Sequence, residues 1–217
     1  MDIMSAIRER RSVKEFRRTK IPNEVLIDIF EAARWAPAAG NTFNTKVVAC
    51  EDTGHKAIIA KATTQDFVKD APIVLVVCSD SGIMKREFGE RGDMYAKQST
   101  AAAIENMLRA AEGHGVGSCW IGAFTEGKIR TALAIKDSFE IHAIIPMGYP
   151  ARKPRPPQKM PVDTYLTWDK FSGLDYPRNP RQRIGNPAQY PERLTEKVQR
   201  WHGQLKEHIA AMKNGKK

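Results

Sequence analysis

The segment Ile73-Val74-Leu75-Val76-Val77-Cys78 decides how the rest of the chain is read. It is apolar without interruption and rich in β-branched residues, so it has no polar side to turn toward water. It predicts a central strand covered on both faces. Upstream, Lys46 to Cys50 reads as a strand and His55 to Ala62 as a short helix. Pro22 or Asn23 can start an earlier helix, in which Val25, Leu26, Ile29, Phe30 and Ala33 form an apolar stripe that stops before Pro37. Asp2 to Arg11 reads as a short helix with Ile3, Ala6 and Ile7 on one face. Downstream, Asp93 to Glu112 is the longest helical pattern, with Ala101, Ile104, Leu108 and Ala111 at helical spacing. Its small-residue face at Thr100 to Ala103 lets another backbone approach closely. Thr125 to Ala134 predicts a helix, and Ile141 to Met147 a strand ended by Pro146 and the Gly148-Tyr149-Pro150 turn.

The glycine-rich run Gly113-His114-Gly115-Val116-Gly117 tests the main competing fold. A dinucleotide-binding fingerprint must follow a strand and open a helix, whereas here the helix comes first. Gly113 is therefore expected as a helix C-cap. The segment from Ser79 to Asp93 is short and charged, which leaves little chain for a large substrate lid. Pro154 to Pro161 can be neither helix nor central strand and should run extended over the surface. Residues 171–191 carry little periodicity, and a final helix is expected in which Leu194, Val198, Trp201, Leu205, Ile209 and Met212 recur every three or four residues. That stripe needs a partner surface. There is no internal repeat.

With 217 residues, 41% of them hydrophobic, the chain can bury one sizeable core, with or without an appendage. No apolar run reaches the roughly 18 residues of a membrane span. The amino terminus lacks the charged-then-apolar layout of a secretory signal, so a cytoplasmic address is expected. Cys50, Cys78 and Cys119 are scattered and lack the paired spacing of a zinc or redox site. His55, His114, His142, His202 and His208 lack metal-ligand spacing too, so no metal is expected. The formal net charge of +10 invites a nucleic-acid reading. Its basic residues gather in the first segment, in Arg152 to Lys159 and in the carboxy-terminal tail, and no zinc-finger or RRM-like signature accompanies them. A basic nucleic-acid-binding protein stands as the alternative from another class.

Three segments carry candidate chemistry. Arg10-Arg11-Ser12-Val13-Lys14 places cations and a hydroxyl at the end of the first helix. A phosphate ester asks for such donors, although basic residues also favour any helix C-terminus. Pro37-Ala38-Ala39-Gly40-Asn41 is a turn of small residues that could let a planar ring approach the main chain, or could simply end a helix. Gly117 to Phe124 sets the free backbone of Gly122 and Ala123 beside Trp120, which suits an aromatic ligand or plain core packing.

Together with the long helix from Asp93 and with Ile145-Pro146-Met147-Gly148-Tyr149-Pro150, these segments occur in the order seen in the nitroreductase family of flavoproteins, which the chain resembles over roughly residues 1–165. The resemblance implies an α+β three-layer sandwich, in which a mostly antiparallel sheet is flanked by helices, and an intertwined homodimer with FMN at the interface. Residues 1–170 are expected as the FMN-binding domain and residues 171–217, largely beyond the resemblance, as a carboxy-terminal extension whose apolar stripe is expected to pack on the partner subunit. Carried over by position, Arg10, Arg11, Ser12 and Lys14 hold the phosphate, the ribityl chain and the pyrimidine edge. Pro37, Ala38, Ala39, Gly40 and Asn41 reach the flavin from the other subunit. Trp120, Ile121, Gly122 and Ala123 border the ring near N5, and Arg155 or Lys159 reaches the phosphate. The family's turn commonly continues Gln-Pro-Trp, whereas this chain has Phe43-Asn44-Thr45, so the acceptor pocket is expected to differ.

The implied reaction carries hydride from NAD(P)H to the flavin and then electrons to a nitroaromatic, a quinone or another small planar acceptor, by a ping-pong route. No catalytic side chain is assigned beyond the flavin. A flavin-consuming or reductively dehalogenating member of the same family is the nearer alternative. Arg152, Lys153 and Arg155 lean the donor preference toward NADPH.

Overall fold

A computed structural model describes residues 2–160 and Tyr165. The chain divides into two compact units, Met1–Pro156 and Pro157–Lys217. The expected carboxy-terminal helix, with its stripe from Leu194 to Met212, lies outside the described residues, as does the extension at 171–217.

In chain order the elements are α1 (Ile3–Glu9), α2 (Asn23–Arg34), β1 (Thr45–Cys50), α3 (Thr53–Thr63) and β2 (Ile73–Asp80). There follow α4 (Ser81–Phe88), α5 (Gly92–Gly113), β3 (Gly117–Ser118), α6 (Glu126–Ala132) and β4 (Phe139–Gly148). The four strands pair antiparallel in the order β1-β2-β4-β3. β2 is buried from Ile73 to Ser79, as its unbroken apolar run requires. Its side chains alternate between two cores. Leu75 and Val77 join Leu26, Ile29, Ile104, Met107 and Leu108 of α2 and α5, while Val74 and Val76 join Ile59 of α3 and Ile129 of α6. This is the expected three-layer α+β sandwich.

Two local expectations change, and two further features appear. Pro146 does not end its strand: β4 runs on to Gly148, and Pro146 sits opposite Val74 of β2. The Cys119 N–H donates to the Pro146 carbonyl, which therefore faces the β3 side of β4. A residue's nitrogen and carbonyl point to the same side of a strand, so the missing N–H falls beside a two-residue strand and the ladder to β2 stays whole. The left-handed residue after α5 is Gly115, at φ 71°, and not Gly113, which is still helical. Val116 N–H donates to Ala111 O and Gly115 N–H to Glu112 O, the paired bonds of a Schellman ending. The charged stretch after Ser79 forms α4, capped by the Asp80 carboxylate on the Gly82 and Ile83 N–H groups. α4 packs so tightly on α5 that a Cβ at Gly92 would lie 2.5 Å from the Lys85 nitrogen. Finally, the β2–β4 register slips between Val77 and Cys78, leaving His142 as a bulge whose ring meets the buried Ser79 hydroxyl at 2.7 Å.

Among the described residues no helix is long and apolar enough to cross a membrane, and no group of His, Cys, Asp or Glu could hold a metal ion.

Candidate cofactor site

After α1 the chain runs along the end of the sheet. Ser12 bridges Ser118 in parallel, Val13 N–H donates to Ser118 O at 2.9 Å, and Phe16 bridges Pro150. Farther on, Arg17 N–H donates to Tyr149 O and Ala151 N–H to Glu15 O. Gly117 is what allows this approach, because a Cβ there would stand 2.7 Å from Val13 Cγ2. The strap and the loop after β4 enclose a cavity of about 510 Å³ whose lining includes Ser12, Lys14, Glu15, Arg152, Lys153 and Arg155. Three of the residues assigned to phosphate recognition, Ser12, Lys14 and Arg155, thus share one cavity.

The remaining candidates are placed differently. Arg10 does not line the cavity. It stands close enough that its charge, with that of Lys14 and the Ser12 hydroxyl, draws the buried Cys119 thiol down against the larger upward push of desolvation. Arg11 turns back onto α1: its Nη1 donates to the carbonyls of Arg8 and Arg10, each at 2.7 Å, so this guanidinium caps the helix C-terminus. Lys159 is exposed and belongs to the second unit. Ile121 is core, 4% exposed, and its N–H and C=O are both bonded to Ile144. Trp120 is 39% exposed. Gly122 and Ala123 are exposed, a Cβ at Gly122 would meet nothing within 4 Å, and among the described residues neither N–H is bonded.

The Pro37–Asn41 turn lies elsewhere. Gly40 and Asn41 take left-handed φ angles of 58° and 56°, and a Cβ at Gly40 would stand 2.8 Å from Cζ of Phe88 in α4. Ala39 N–H reaches Ser99 Oγ on α5 at 3.5 Å. The turn feeds β1 at Thr45, opposite Ser79, whereas Ser12 meets the sheet through Ser118 and Met147, the latter paired with Ile73. Ile73 to Ser79 spans roughly 20 Å at about 3.3 Å per residue. Within one chain, then, the turn and the cavity occupy opposite ends of the sheet.

The donor set fits a phosphate ester, since Ser12, Lys14, Arg152 and Arg155 supply a hydroxyl and three cations against one carboxylate, Glu15. Ser118, bridged to Ser12, has a buried hydroxyl with no hydrogen-bond partner among the described residues. Lys153 also lines the cavity, yet its ammonium donates to Glu112 Oε1 at 2.7 Å and to Glu9 Oε2 at 3.4 Å. These bonds, that to Glu112 first, raise its pKa above the ordinary lysine value. Its charge is thus committed, which removes it from the basic surface read as favouring NADPH. Glu15 and the contact of Glu112 with Lys153 went unassigned in the sequence, where Arg152 and Lys153 were read only as basic surface. The one signal for Glu112 was a carboxylate in the last turn of a helix, against the helix dipole.

Comparison with known proteins bears on the same segments. The Nitroreductase family model matches residues 7–62 and 53–149. An NADH dehydrogenase of Thermus thermophilus is 25% identical over 197 residues, covering 77% of this chain and 96% of its own length. An FMN reductase [NAD(P)H] of Bacillus subtilis is 24% identical over 240 residues, covering 99% and 86%. The crystal structure of a nitroreductase family protein from Clostridium novyi NT superposes with a TM-score of 0.64 at 30% identity, covering 69% of this chain and 86% of that one. The family match reaches from α1 through the strap, the turn and β3 to the end of β4, and on it the chain belongs to the nitroreductase family.

Proposed function

We infer that this chain is an FMN-dependent oxidoreductase that takes electrons from NADH or NADPH and passes them to a small planar acceptor, a nitroaromatic or a quinone. The observation that carries this reading is the cationic cavity at Ser12, Lys14 and Arg155, continued along the edge of the sheet by the open backbone at Gly122 and Ala123. The flavin supplies the hydride chemistry. The chain's own residues bind and orient. Ser12 donates a hydroxyl hydrogen bond to the phosphate, Arg155 and Lys14 neutralise its charge, and the N–H groups of Gly122 and Ala123 stand ready for the ring. The ammonium of Lys14 also sits 5.4 Å from the centre of the Phe67 ring, a cation–π contact that steadies it.

The working unit in this reading is a homodimer. The Pro37–Asn41 turn and the phosphate cavity sit at opposite ends of one sheet, so residues of both sets meet over one flavin only when two chains contribute. One planar ligand at a time over the ring makes donor and acceptor take turns, which is a ping-pong scheme. The test begins with the purified protein: pigment released by heat should be FMN by chromatography, and recovery of FAD at full occupancy would overturn the assignment. Double-reciprocal plots at several fixed acceptor concentrations should be parallel, and intersecting lines would refute the alternating scheme. Sedimentation should show a dimer, and a fully flavinated monomer would refute the shared site.

A further inference from the structure

Glu112 and Lys153 form an ion pair that local structure does not call for. Glu112 is 6% exposed and sits in the last turn of α5, where the carbonyl end of the helix already carries partial negative charge. A carboxylate there works against both solvation and the helix dipole, so α5 by itself gains nothing from it. Its partner, Lys153, lies 41 residues away at 2.7 Å, and the same ammonium reaches Glu9, the last residue of α1, across 144 residues. Three pieces of chain therefore meet at one ammonium. α1 leads directly into Ser12 and Lys14, and the loop bearing Lys153 also carries Arg152 and Arg155, so these are the two walls of the cavity.

We propose that Glu112 and Lys153 are positioning residues that clamp the two walls of the cavity together, so that the phosphate of FMN meets donors already in place. This rests on the FMN reading above. Lys153 is held by carboxylates and contributes geometry, while Arg155, Lys14 and Ser12 make the phosphate contacts. Glu112 is buried while the Lys153 side chain is 45% exposed, so removing the ammonium leaves a buried carboxylate without its partner, and removing the carboxylate frees Lys153 to turn to solvent with its loop. Loss of either partner should therefore loosen Arg155 without removing any phosphate ligand.

Riboflavin lacks the phosphate and provides the discriminating measurement. Dissociation constants of FMN and riboflavin are measured by flavin fluorescence with the full-length apoprotein of the parent and of Glu112→Gln, Lys153→Met, the double variant and Arg155→Ala. The parent should bind FMN more tightly than riboflavin. Each single clamp variant should lower that preference about tenfold, the worth of one charge-assisted hydrogen bond, and the double variant should lower it no further than either single one. A variant that merely destabilises the fold weakens both flavins alike and leaves the ratio unchanged, and that result overturns the clamp. A reduced ratio in Arg155→Ala but not in Glu112→Gln or Lys153→Met also overturns the clamp, with the phosphate site intact. A parent that binds the two flavins equally overturns the phosphate site and the clamp together.

Discussion

Replacing Gly117 with alanine tests the strap that forms one wall of the cavity. The added Cβ would lie 2.7 Å from Val13 Cγ2, 2.9 Å from Val13 Cβ and 3.1 Å from Val13 Cγ1, whereas ordinary contact begins at 3.4 Å. Val13 is 2% exposed and β-branched, so it cannot swing aside, and the strap must retreat by about 0.7 Å, the difference between 2.7 and 3.4 Å. Overpacking of this kind costs about 1–3 kcal/mol, offset by about 0.4–1 kcal/mol from the less flexible unfolded chain. A net loss of about 1–2 kcal/mol is expected, with a lower urea midpoint at unchanged m-value. The retreat also stretches the 2.9 Å bond from Val13 N–H to Ser118 O and carries Ser12 and Lys14 away from Arg155. FMN affinity should fall while riboflavin affinity holds. Val13→Ala removes two of the three close atoms, so the double variant Val13→Ala/Gly117→Ala should be more stable than the sum of the single losses allows. Full stability and unaltered FMN binding in Gly117→Ala, or strict additivity in the double variant, would refute the packing argument.

Arg11→Ala should destabilise the chain by about 1–2 kcal/mol through the two lost carbonyl bonds yet leave the preference for FMN over riboflavin intact. A loss of preference as large as that in Arg155→Ala would mean that Arg11 reaches the phosphate after all. Burial holds the His142 pKa below its ordinary 6.5, with Glu140 and Glu126 pulling it up and Lys97 pushing it down. The unfolded chain thus takes up the proton first, and the stability His142 confers is present above pH 6.5 and lost as pH falls through the lower folded value. Urea midpoints measured from pH 7.5 to 5 should decline, and His142→Gln should flatten that decline; an identical slope in the variant would refute the assignment. The Cys78 thiol is pushed up to about 11 by burial, and Cys50 and Cys119 are raised by the same cause. Alkylation at pH 8 should therefore proceed no faster than unfolding, and a rapid stoichiometric reaction of the native protein would contradict it.

The layers were legible because they depend on periodicity. β2 declared itself by being apolar on both faces, and α2 and α5 by their stripes. What escaped depended on pairing partners distant in sequence. Pro146 looks like a strand terminator until its neighbour on that side proves to be only two residues long. Gly113 and Gly115 are equally plausible helix endings from composition, and the choice falls to Gly115 because Val116 must return to the core beside Ala111. α4 has a weak apolar pattern, and its place follows from backbone contact at Gly92. At the site, residue types singled out Ser12, Lys14 and Arg155, which the fold brings around one cavity. Arg11 could not be told from Arg10, since only the direction of the side chain separates a helix cap from a ligand. Glu112 stayed hidden because its meaning lies in Lys153, on the far side of β4.

The separation of the turn from the cavity by the length of β2 has a genetic consequence. In a dimer assembled as proposed, each flavin draws on the cavity of one chain and the turn of the other. A chain crippled at Ser12 and Arg155 and a chain crippled at Gly40 and Asn41 would each be inactive alone. Co-expressed, they would form mixed dimers in which one site collects both lesions and the other collects none. Two dead alleles would then complement each other up to about a quarter of parental activity, since half of randomly assorted dimers are mixed and each mixed dimer keeps one site of two.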